Sequence, residues 1–320
     1  MTESIRSISV VIPVLNEEGS LPTVCEELKA VAGRLPGIVF EWLFIDDGSM
    51  DNSPELIRSF AKTDQRVKGI IFRRNYGQTA AMSCGIQAAT GDIIIPMDAD
   101  LQNDPADIPK FIEKINEGYS CVSGWRKQRQ DGFVLRLLPS WSANWIISVM
   151  TGVKLHDYGC SMKAYRRSII QDVELYGEMH RFIPAYAAWS GAKVTEIVVN
   201  HRARKFGVSK YGISRVFKVI LDLIVVKFLT NYFNKPIHFF VAVGLASLAI
   251  GSVALLGALT YKLLGVAFVS TPLPTVGAMF VIVGVQFILF GLLSEVLMRT
   301  YYGSRNTRPY SIREAVNIVI

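Results

Sequence analysis

Cysteine is scarce in this 320-residue sequence. The four cysteines, Cys25, Cys84, Cys121 and Cys160, lie far apart, and no two of them form a CxxC pair. Their spacing argues against a zinc site or a disulfide framework and fits a reducing compartment. We therefore interpret all four as small buried hydrophobic residues.

Several targeting and binding signals are also missing. The first 15 residues lack a basic segment followed by an apolar one and a cleavage site, so we expect the N-terminal domain to remain in the cytosol. The net charge of +7 suits nucleic acid, a nucleotide substrate or an anionic membrane surface. Because no RNP, zinc-finger or helix-turn-helix pattern accompanies this charge, we expect no nucleic-acid partner. A GxGxxG phosphate loop is absent as well.

Charge is nearly absent between residues 236 and 298. Two uncharged runs, 236–261 and 274–294, each exceed the about 20 residues needed to cross a hydrocarbon core of about 30 Å. Basic residues precede the first run and follow the second, whereas the connecting loop carries only Lys262. By the positive-inside rule we predict two membrane spans with both termini in the cytoplasm. A buried helical hairpin is the alternative.

Short β-rich runs alternate with helical stretches in the first part of the chain. The runs cover residues 8–13, 40–45, 67–72, 92–97 and 119–123, and the helical stretches cover 20–33, 53–64, 77–89 and 105–117. This alternation predicts an α/β fold with a mainly parallel sheet and helices on both faces. Ligands of such sheets bind beyond the carboxyl ends of the strands, where Asn16, Asp46 and Asp98 occur.

Asp98 and Asp100 stand one residue apart directly after a predicted strand. Two carboxylates so placed can share a hard divalent cation together with the diphosphate that it neutralises, and Gln102 adds a neutral oxygen. A D-x-D pair alone is weak evidence, since such pairs are common in loops. Its context strengthens the prediction of a Mg²⁺ or Mn²⁺ site.

The surrounding motifs resemble those of a known family. They are Val11-Ile12-Pro13-Val14-Leu15-Asn16-Glu17-Glu18, Ile45-Asp46-Asp47-Gly48-Ser49, Asn75-Tyr76-Gly77-Gln78, Thr90-Gly91-Asp92 and the D-x-D loop. In order and spacing they resemble the family-two glycosyltransferases of GT-A fold, within them the dolichyl-phosphate-mannose-synthase-like group. The segments 156–167 and 202–211 extend the resemblance to polyisoprenyl-phosphate glycosyltransferases. The two spans resemble bacterial bactoprenol glucosyltransferases and their aminoarabinose-transferring relatives, which implies a bacterial inner membrane.

The resemblance assigns roles to individual residues. It implies contacts with a nucleotide-sugar for Pro13, Asn16, Glu17, Asp47, Asp98 and Arg126, and contacts with the metal for Asp98, Asp100 and Gln102. It implies contacts with the acceptor phosphate for Arg202, Arg204, Ser209 and Lys210, and catalytic roles for Asp157 and Arg202. Arg126 could instead be a solvated surface arginine, and the basic loop could bind lipid headgroups nonspecifically. Asp46 is expected to cap the turn before Gly48, and Asp104 to be peripheral.

The chain divides into four predicted regions. Residues 1–211 form the catalytic domain, 212–234 an amphipathic interfacial helix, 235–299 the two-span region and 300–320 a cytoplasmic tail. Within the tail, Ser311-Ile312-Arg313-Glu314 fits a capping box and predicts a short apolar helix through Ile320.

The function that the resemblance implies is inverting transfer of one hexose from a nucleotide-sugar, with UDP-glucose favoured, to a polyisoprenyl phosphate. GDP-mannose and aminoarabinose donors remain alternatives. A processive polysaccharide synthase would need a QxxRW motif, which the sequence lacks. An inactive membrane scaffold would have little need of the intact acidic and basic motifs. A homo-oligomer packed through the apolar spans stays open.

Overall fold

The structure is a computed structural model that describes residues 5–127, 148, 151–171, 182–189, 191–202, 236–303 and 310–318. These residues belong to two compact units. The α/β unit contains the described residues up to 202 and the segment 310–318, and the helical unit contains residues 236–303. The predicted amphipathic helix at 212–234 lies outside the described residues.

The strands of the α/β unit are β1 (Ser7–Val14), β2 (Val39–Asp46), β3 (Val67–Phe72), β4 (Ile93–Pro96), β5 (Cys121–Trp125), β6 (Lys163–Arg166), β7 (Val194–Val198) and β8 (Ile312–Val316). They form one sheet in the order β7-β5-β6-β4-β1-β2-β3-β8. Strand β6 runs antiparallel to β4 and β5, and β8 runs antiparallel to β3, whereas the other pairs are parallel. The predicted mainly parallel sheet is confirmed.

Helices cover the sheet because its central strands are apolar on both faces. They are α1 (Leu21–Gly33), α2 (Ser53–Thr63), α3 (Gln78–Ala88), α4 (Ile108–Asn116), α5 (Arg167–Ile170) and α6 (Ile183–Trp189). In β1, Ile8, Val10, Val11 and Ile12 are all fully buried. Such continuous burial is typical of parallel strands that are covered on both sides. All four cysteines are buried, as predicted.

The strand register brings the predicted polar clusters to one edge of the sheet. Val14 at the end of β1 pairs with Asp46 at the end of β2, and Val11 pairs with Pro96 at the end of β4. The loops that follow these three strands are therefore neighbours. This edge holds the candidate site.

The prediction of a C-terminal helix is wrong, because residues 312–316 form strand β8 at the edge of the sheet. The capping-box pattern is only a local signal, and pairing with the otherwise open edge of β3 overrides it. Tyr310 stacks on Phe72 with ring centroids 4.9 Å apart, and Glu314 accepts a hydrogen bond from Nη2 of Arg58 at 2.9 Å. The C-terminal segment is therefore part of the α/β unit and not a separate tail.

Helices α7 (Pro236–Leu263) and α8 (Leu273–Gly303) form the helical unit. Their stretches Phe240–Leu263 and Leu273–Ser294 are long and apolar enough to cross a membrane, and only 17% of the most apolar part of each is buried. A core helix of a soluble protein would bury most of its apolar side chains. This exposure favours membrane spans over the buried hairpin.

Glycines allow the two helices to approach each other closely. A Cβ atom on Gly244 would lie 2.8 Å from the carbonyl oxygen of Gly284, and one on Gly251 would lie 2.9 Å from that of Gly277. The hydroxyl of Ser247 donates a 2.9 Å hydrogen bond to a carbonyl oxygen of α8. Small residues and interhelical hydrogen bonds are the means by which helices associate in lipid. The packing within this hairpin therefore suits a bilayer.

Candidate active site

The loop after β4 folds back on itself through short-range hydrogen bonds. Oδ1 of Asp100 accepts a 3.1 Å hydrogen bond from the backbone N–H of Gln102, with Leu101 between them at a φ of +65°. The backbone N–H of Asp98 donates to Oδ1 of Asn103 at 3.0 Å. Asp98, Asp100 and Gln102 thus occupy one tight turn, as the sequence predicts for a shared ligand set.

The oxygen atoms of this turn suit a hard divalent cation. Mg²⁺ is usually held by one or two carboxylates, with the remaining positions filled by water and by substrate phosphates. Asp98 and Asp100 would supply the carboxylates, and Gln102 an amide oxygen. The described residues contain no group of three or more His, Cys, Asp or Glu side chains placed to hold a metal ion. Water and the oxygen atoms of a bound diphosphate would fill the remaining positions around a cation here.

Asp98 accepts a hydrogen bond from a side-chain amide and interacts electrostatically with a guanidinium. Its Oδ1 accepts a 2.8 Å hydrogen bond from Nε2 of Gln78, the first residue of α3. Its charge is also among those that raise the pKa of Arg126. The predicted metal ligand is therefore held within a polar network and does not project freely into solvent.

Arg126 and Asp157 form a buried, bidentate ion pair. Nε of Arg126 donates to Oδ2 of Asp157 at 2.7 Å, and Nη2 donates to Oδ1 at 3.0 Å. The side chains are only 15% and 4% exposed, so Arg126 is not the solvated surface arginine of the alternative interpretation. Burial opposes its charge, but the hydrogen bonds and the Coulomb attraction of Asp157 outweigh burial and raise the pKa of Arg126.

Asn103 connects the loop of Asp98 and Asp100 to the segment that carries Asp157. Its side chain is buried, and its Oδ1 accepts hydrogen bonds from the backbone N–H of Asp98 at 3.0 Å and from Oγ of Ser161 at 2.9 Å. Its backbone forms an isolated antiparallel bridge with His201. The sequence motifs assigned no role to Asn103. No local signal revealed these distant partners.

The loops after β1 and β2 are fastened together by residues that the sequence assigned to the nucleotide. The backbone N–H of Asn16 donates to Oγ of Ser49 at 2.9 Å, and Oδ1 of Asn16 accepts from the backbone N–H of Met50 at 2.8 Å. The backbone N–H of Glu17 donates to Oγ of Ser53 at 2.9 Å. Pro13 lies half-buried within β1. The structure thus gives Asn16 a role in shaping the loops, and nucleotide contacts remain a prediction.

The last residue of β2, Asp46, and the next residue, Asp47, are both buried and both accept hydrogen bonds from backbone amides. Asp46 accepts hydrogen bonds from Gly48 and Ser49 at 3.1 and 3.0 Å, which is the turn-capping role predicted for it. Asp47 accepts from Tyr76 at 2.7 Å and from Gly77 at 2.9 Å. Burial raises the pKa of both carboxyls, although these hydrogen bonds oppose the shift. Asp47 therefore anchors a neighbouring loop, whatever contact it makes with a nucleotide.

Arg202 lies beside the loop of Asp98 and Asp100, and its guanidinium interacts with two carboxylates. It donates to Oε1 of Glu27 at 2.6 Å and pairs with Oδ1 of Asp104 at 2.7 Å, while its backbone N–H donates to the carbonyl oxygen of Gln102 at 3.1 Å. Asp104, expected to be peripheral, is thus one of its partners. An acceptor phosphate would compete with these carboxylates for the guanidinium. Arg204, Ser209 and Lys210 lie outside the described residues.

Comparisons with known proteins agree with this arrangement. Residues 9–174 match the model of glycosyl transferase family 2. The chain is 44% identical over 312 residues to the dodecaprenyl-phosphate galacturonate synthase of Rhizobium johnstonii, covering 96% of this chain and 92% of that protein. It is 37% identical over 318 residues to the undecaprenyl-phosphate 4-deoxy-4-formamido-L-arabinose transferase of Shewanella sediminis, covering 98% and 93%.

A similar fold occurs among solved structures. The glucosyl-3-phosphoglycerate synthase of Mycobacterium tuberculosis, in complex with Mn²⁺, UDP and phosphoglyceric acid, matches with a TM-score of 0.54 and 17% identity over 70% of this chain and 78% of that one. At this identity the likeness concerns the fold alone, which is of GT-A type, as predicted.

The family to which the chain belongs is shown by the matched family model and by the similarity to relatives along nearly the whole chain. The chain belongs to glycosyltransferase family 2 and, within it, to the polyprenyl-phosphate glycosyltransferases.

Proposed function

We propose that this enzyme transfers one sugar from a nucleotide-sugar to the phosphate of a polyprenyl phosphate, and that the sugar is a galacturonate. The similarity to the galacturonate synthase, at 44% identity along 96% of the chain, carries this choice. The aminoarabinose-type donor, one of the alternatives from the sequence, is supported by the relatives at 36–37% identity. The UDP-glucose favoured from the sequence has no comparable support.

The site's own residues suit a displacement at the anomeric carbon. A bound divalent cation would supply charge that stabilises the departing nucleoside diphosphate. Asp98, Asp100 and Gln102 would hold it, and the buried Arg126 places a further positive charge beside Asp98. Arg202, with Arg204, Ser209 and Lys210 from the predicted basic loop, would bind the acceptor phosphate.

Asp157 need not act as a general base. A phosphate monoester has its second pKa near about 6, so most of the acceptor is ionised at neutral pH without help from the enzyme. Both carboxylate oxygens of Asp157 accept hydrogen bonds from Arg126. We infer that Asp157 holds this guanidinium in place while the acceptor oxygen bonds to the anomeric carbon and the diphosphate leaves.

A donor comparison tests the choice of sugar. Purified enzyme, dodecaprenyl or undecaprenyl phosphate and Mg²⁺ or Mn²⁺ would be incubated in turn with nucleotide-linked galacturonate, 4-deoxy-4-formamido-arabinose, glucose and mannose. We expect kcat/KM for galacturonate to exceed that for glucose by at least about tenfold, since a site built around a polar substituent rejects analogues that lack it. Equal or faster transfer of glucose or mannose would contradict the galacturonate assignment, and faster transfer of formamido-arabinose would replace it.

The return of the chain into the sheet supports the proposed pair of membrane spans. Residues 236–303 lie between two chain segments that contribute strands to one sheet. A bilayer cannot divide a sheet, which supports an even number of membrane crossings between these two segments, as the two-span topology has. Because basic residues flank the hairpin, we propose that the α/β unit lies in the cytoplasm.

Cysteine labelling tests this topology. In a background without the four native cysteines, we expect Arg34→Cys and Arg313→Cys to react with an impermeant maleimide only after the membrane is opened. Val269→Cys, in the loop between the spans and 98% exposed, should react in intact spheroplasts. Labelling of Arg34→Cys and Arg313→Cys on different sides, or of all three on one side, would contradict the two-span topology.

A further inference from the structure

The side chain of Gln78 contacts the Asp98 carboxylate. Gln78 is the first residue of α3, twenty positions before Asp98, and its Nε2 donates a 2.8 Å hydrogen bond to Oδ1 of Asp98. An amide donor of this kind restrains the orientation of a carboxylate without neutralising it. Hydrogen-bonded partners of metal-ligating carboxylates orient those ligands and tune their affinity for the metal.

The position of Gln78 is itself fixed by the residues after β2. The two oxygens of the buried Asp47 accept the backbone N–H groups of Tyr76 and Gly77 at 2.7 and 2.9 Å. Gly77 adopts a φ of +97°, so the chain turns sharply into α3 there. A hydrogen-bonded path therefore runs from Asp47, through the backbone of this turn, to Gln78 and Asp98.

Close packing holds the same turn from a second point. A Cβ atom on Gly48 would lie 2.5 Å from the carbonyl carbon of Arg74 and 2.7 Å from the backbone nitrogen of Asn75. The segment 74–77 thus rests directly on the backbone of the Asp47-Gly48 turn. Small shifts of Gln78 are opposed both by hydrogen bonds and by contact between backbones.

We propose that Gln78 is a positioning residue that holds Asp98 in the orientation needed to bind the divalent cation, and that Asp47 supports it through the Tyr76-Gly77 turn. The inference rests on the proposed function, because it assumes that Asp98 and Asp100 bind a cation. It gives Gln78 a role that the sequence motifs did not, and it explains why Asp47 is buried against backbone amides.

Manganese binding measured without turnover tests this role. Purified enzyme with UDP would be titrated with Mn²⁺ while electron paramagnetic resonance reports the free ion. For Gln78→Ala we expect the dissociation constant of Mn²⁺ to rise about 10- to 100-fold, as is typical when a partner of a metal ligand is lost. Gln78→Met keeps the length of the side chain and removes the donor, so it should show the same loss with an unchanged melting temperature. Because the metal still binds when supplied in excess, saturating Mn²⁺ should restore most of kcat in both variants.

Gln87→Ala is the matched control. Gln87 is a glutamine at the opposite end of α3, where its Oε1 accepts a 3.0 Å hydrogen bond from the hydroxyl of Tyr310. We expect its removal to leave Mn²⁺ affinity unchanged.

Two outcomes would contradict the proposals. Wild-type Mn²⁺ affinity in Gln78→Ala and Gln78→Met, together with loss of binding in Asp100→Ala, would overturn the positioning role and leave the proposed metal site standing. Wild-type affinity in Asp100→Ala as well would overturn both.

Discussion

Asp100→Ala is expected to lower kcat at least about 10³-fold while the folding of the enzyme is unchanged. A metal ion contributes several kcal/mol of charge stabilisation at a departing diphosphate, and each 1.36 kcal/mol corresponds to a factor of about ten. Asp100 is one of only two carboxylates in the metal turn, so its removal leaves too few protein ligands. Initial rates across a titration of Mg²⁺ or Mn²⁺, together with thermal unfolding, provide the measurement. EDTA should abolish transfer by the wild-type enzyme, and added metal should restore it.

Glu113→Ala provides the control, since Glu113 is an exposed carboxylate on α4 outside the site. It should retain wild-type rates and metal dependence. Full activity of the wild-type enzyme in EDTA, or of Asp100→Ala in any buffer, would contradict the metal site.

Asp157→Ala is expected to cost about 3–5 kcal/mol of folding free energy in addition to activity. Removing one partner of a buried ion pair leaves the other charge without compensation, and Arg126 is only 15% exposed. Because about 1 kcal/mol shifts the melting temperature of a domain of this size by about 2–4 °C, we expect a decrease of about 10 °C. Thermal unfolding in detergent, followed by circular dichroism, measures it.

A paired substitution separates stability from chemistry. The double variant Arg126→Met/Asp157→Leu replaces both charged side chains with apolar side chains of similar volume. It should therefore recover most of the lost stability. It should remain inactive if Arg126 supplies charge to the reaction. Wild-type turnover in the double variant would show that the pair serves only to hold the fold together.

The fold could be predicted from the sequence because its signals are local. Apolar runs of strand length, helical stretches between them and polar residues at the strand ends indicate a parallel sheet and the edge where its ligands bind. The turn after β4 could also be predicted from a local signal, since Asp98, Asp100 and Gln102 are close in the chain as well as in space. The family motifs add the reaction type.

What could not be predicted depends on contacts between distant segments. Strand β8 pairs with β3 more than 230 residues earlier in the chain, and its local pattern indicates a helix. Gln78 and Asn103 acquire their importance from their distant partners across the site. Arg202 meets Glu27, 175 positions away, and no spacing rule reveals that pair.

Roles assigned by motif were the least secure part of the sequence interpretation. A polar residue at a strand end can bind a ligand or shape the loop that binds it. Asn16 and Asp47 both accept hydrogen bonds from backbone amides of neighbouring loops. Their nucleotide contacts therefore remain predictions, whereas their part in building the site's edge is visible.

The composition of the product tests the central claim most directly. Purified enzyme would be incubated with polyprenyl phosphate, metal and the preferred donor, and the lipid product would be analysed by mass spectrometry while released nucleoside diphosphate is counted. We predict one sugar on each lipid phosphate and one nucleoside diphosphate released per lipid converted, with no release when polyprenyl phosphate is omitted. Lipids carrying chains of several sugars, or nucleotide release without the lipid acceptor, would contradict the account.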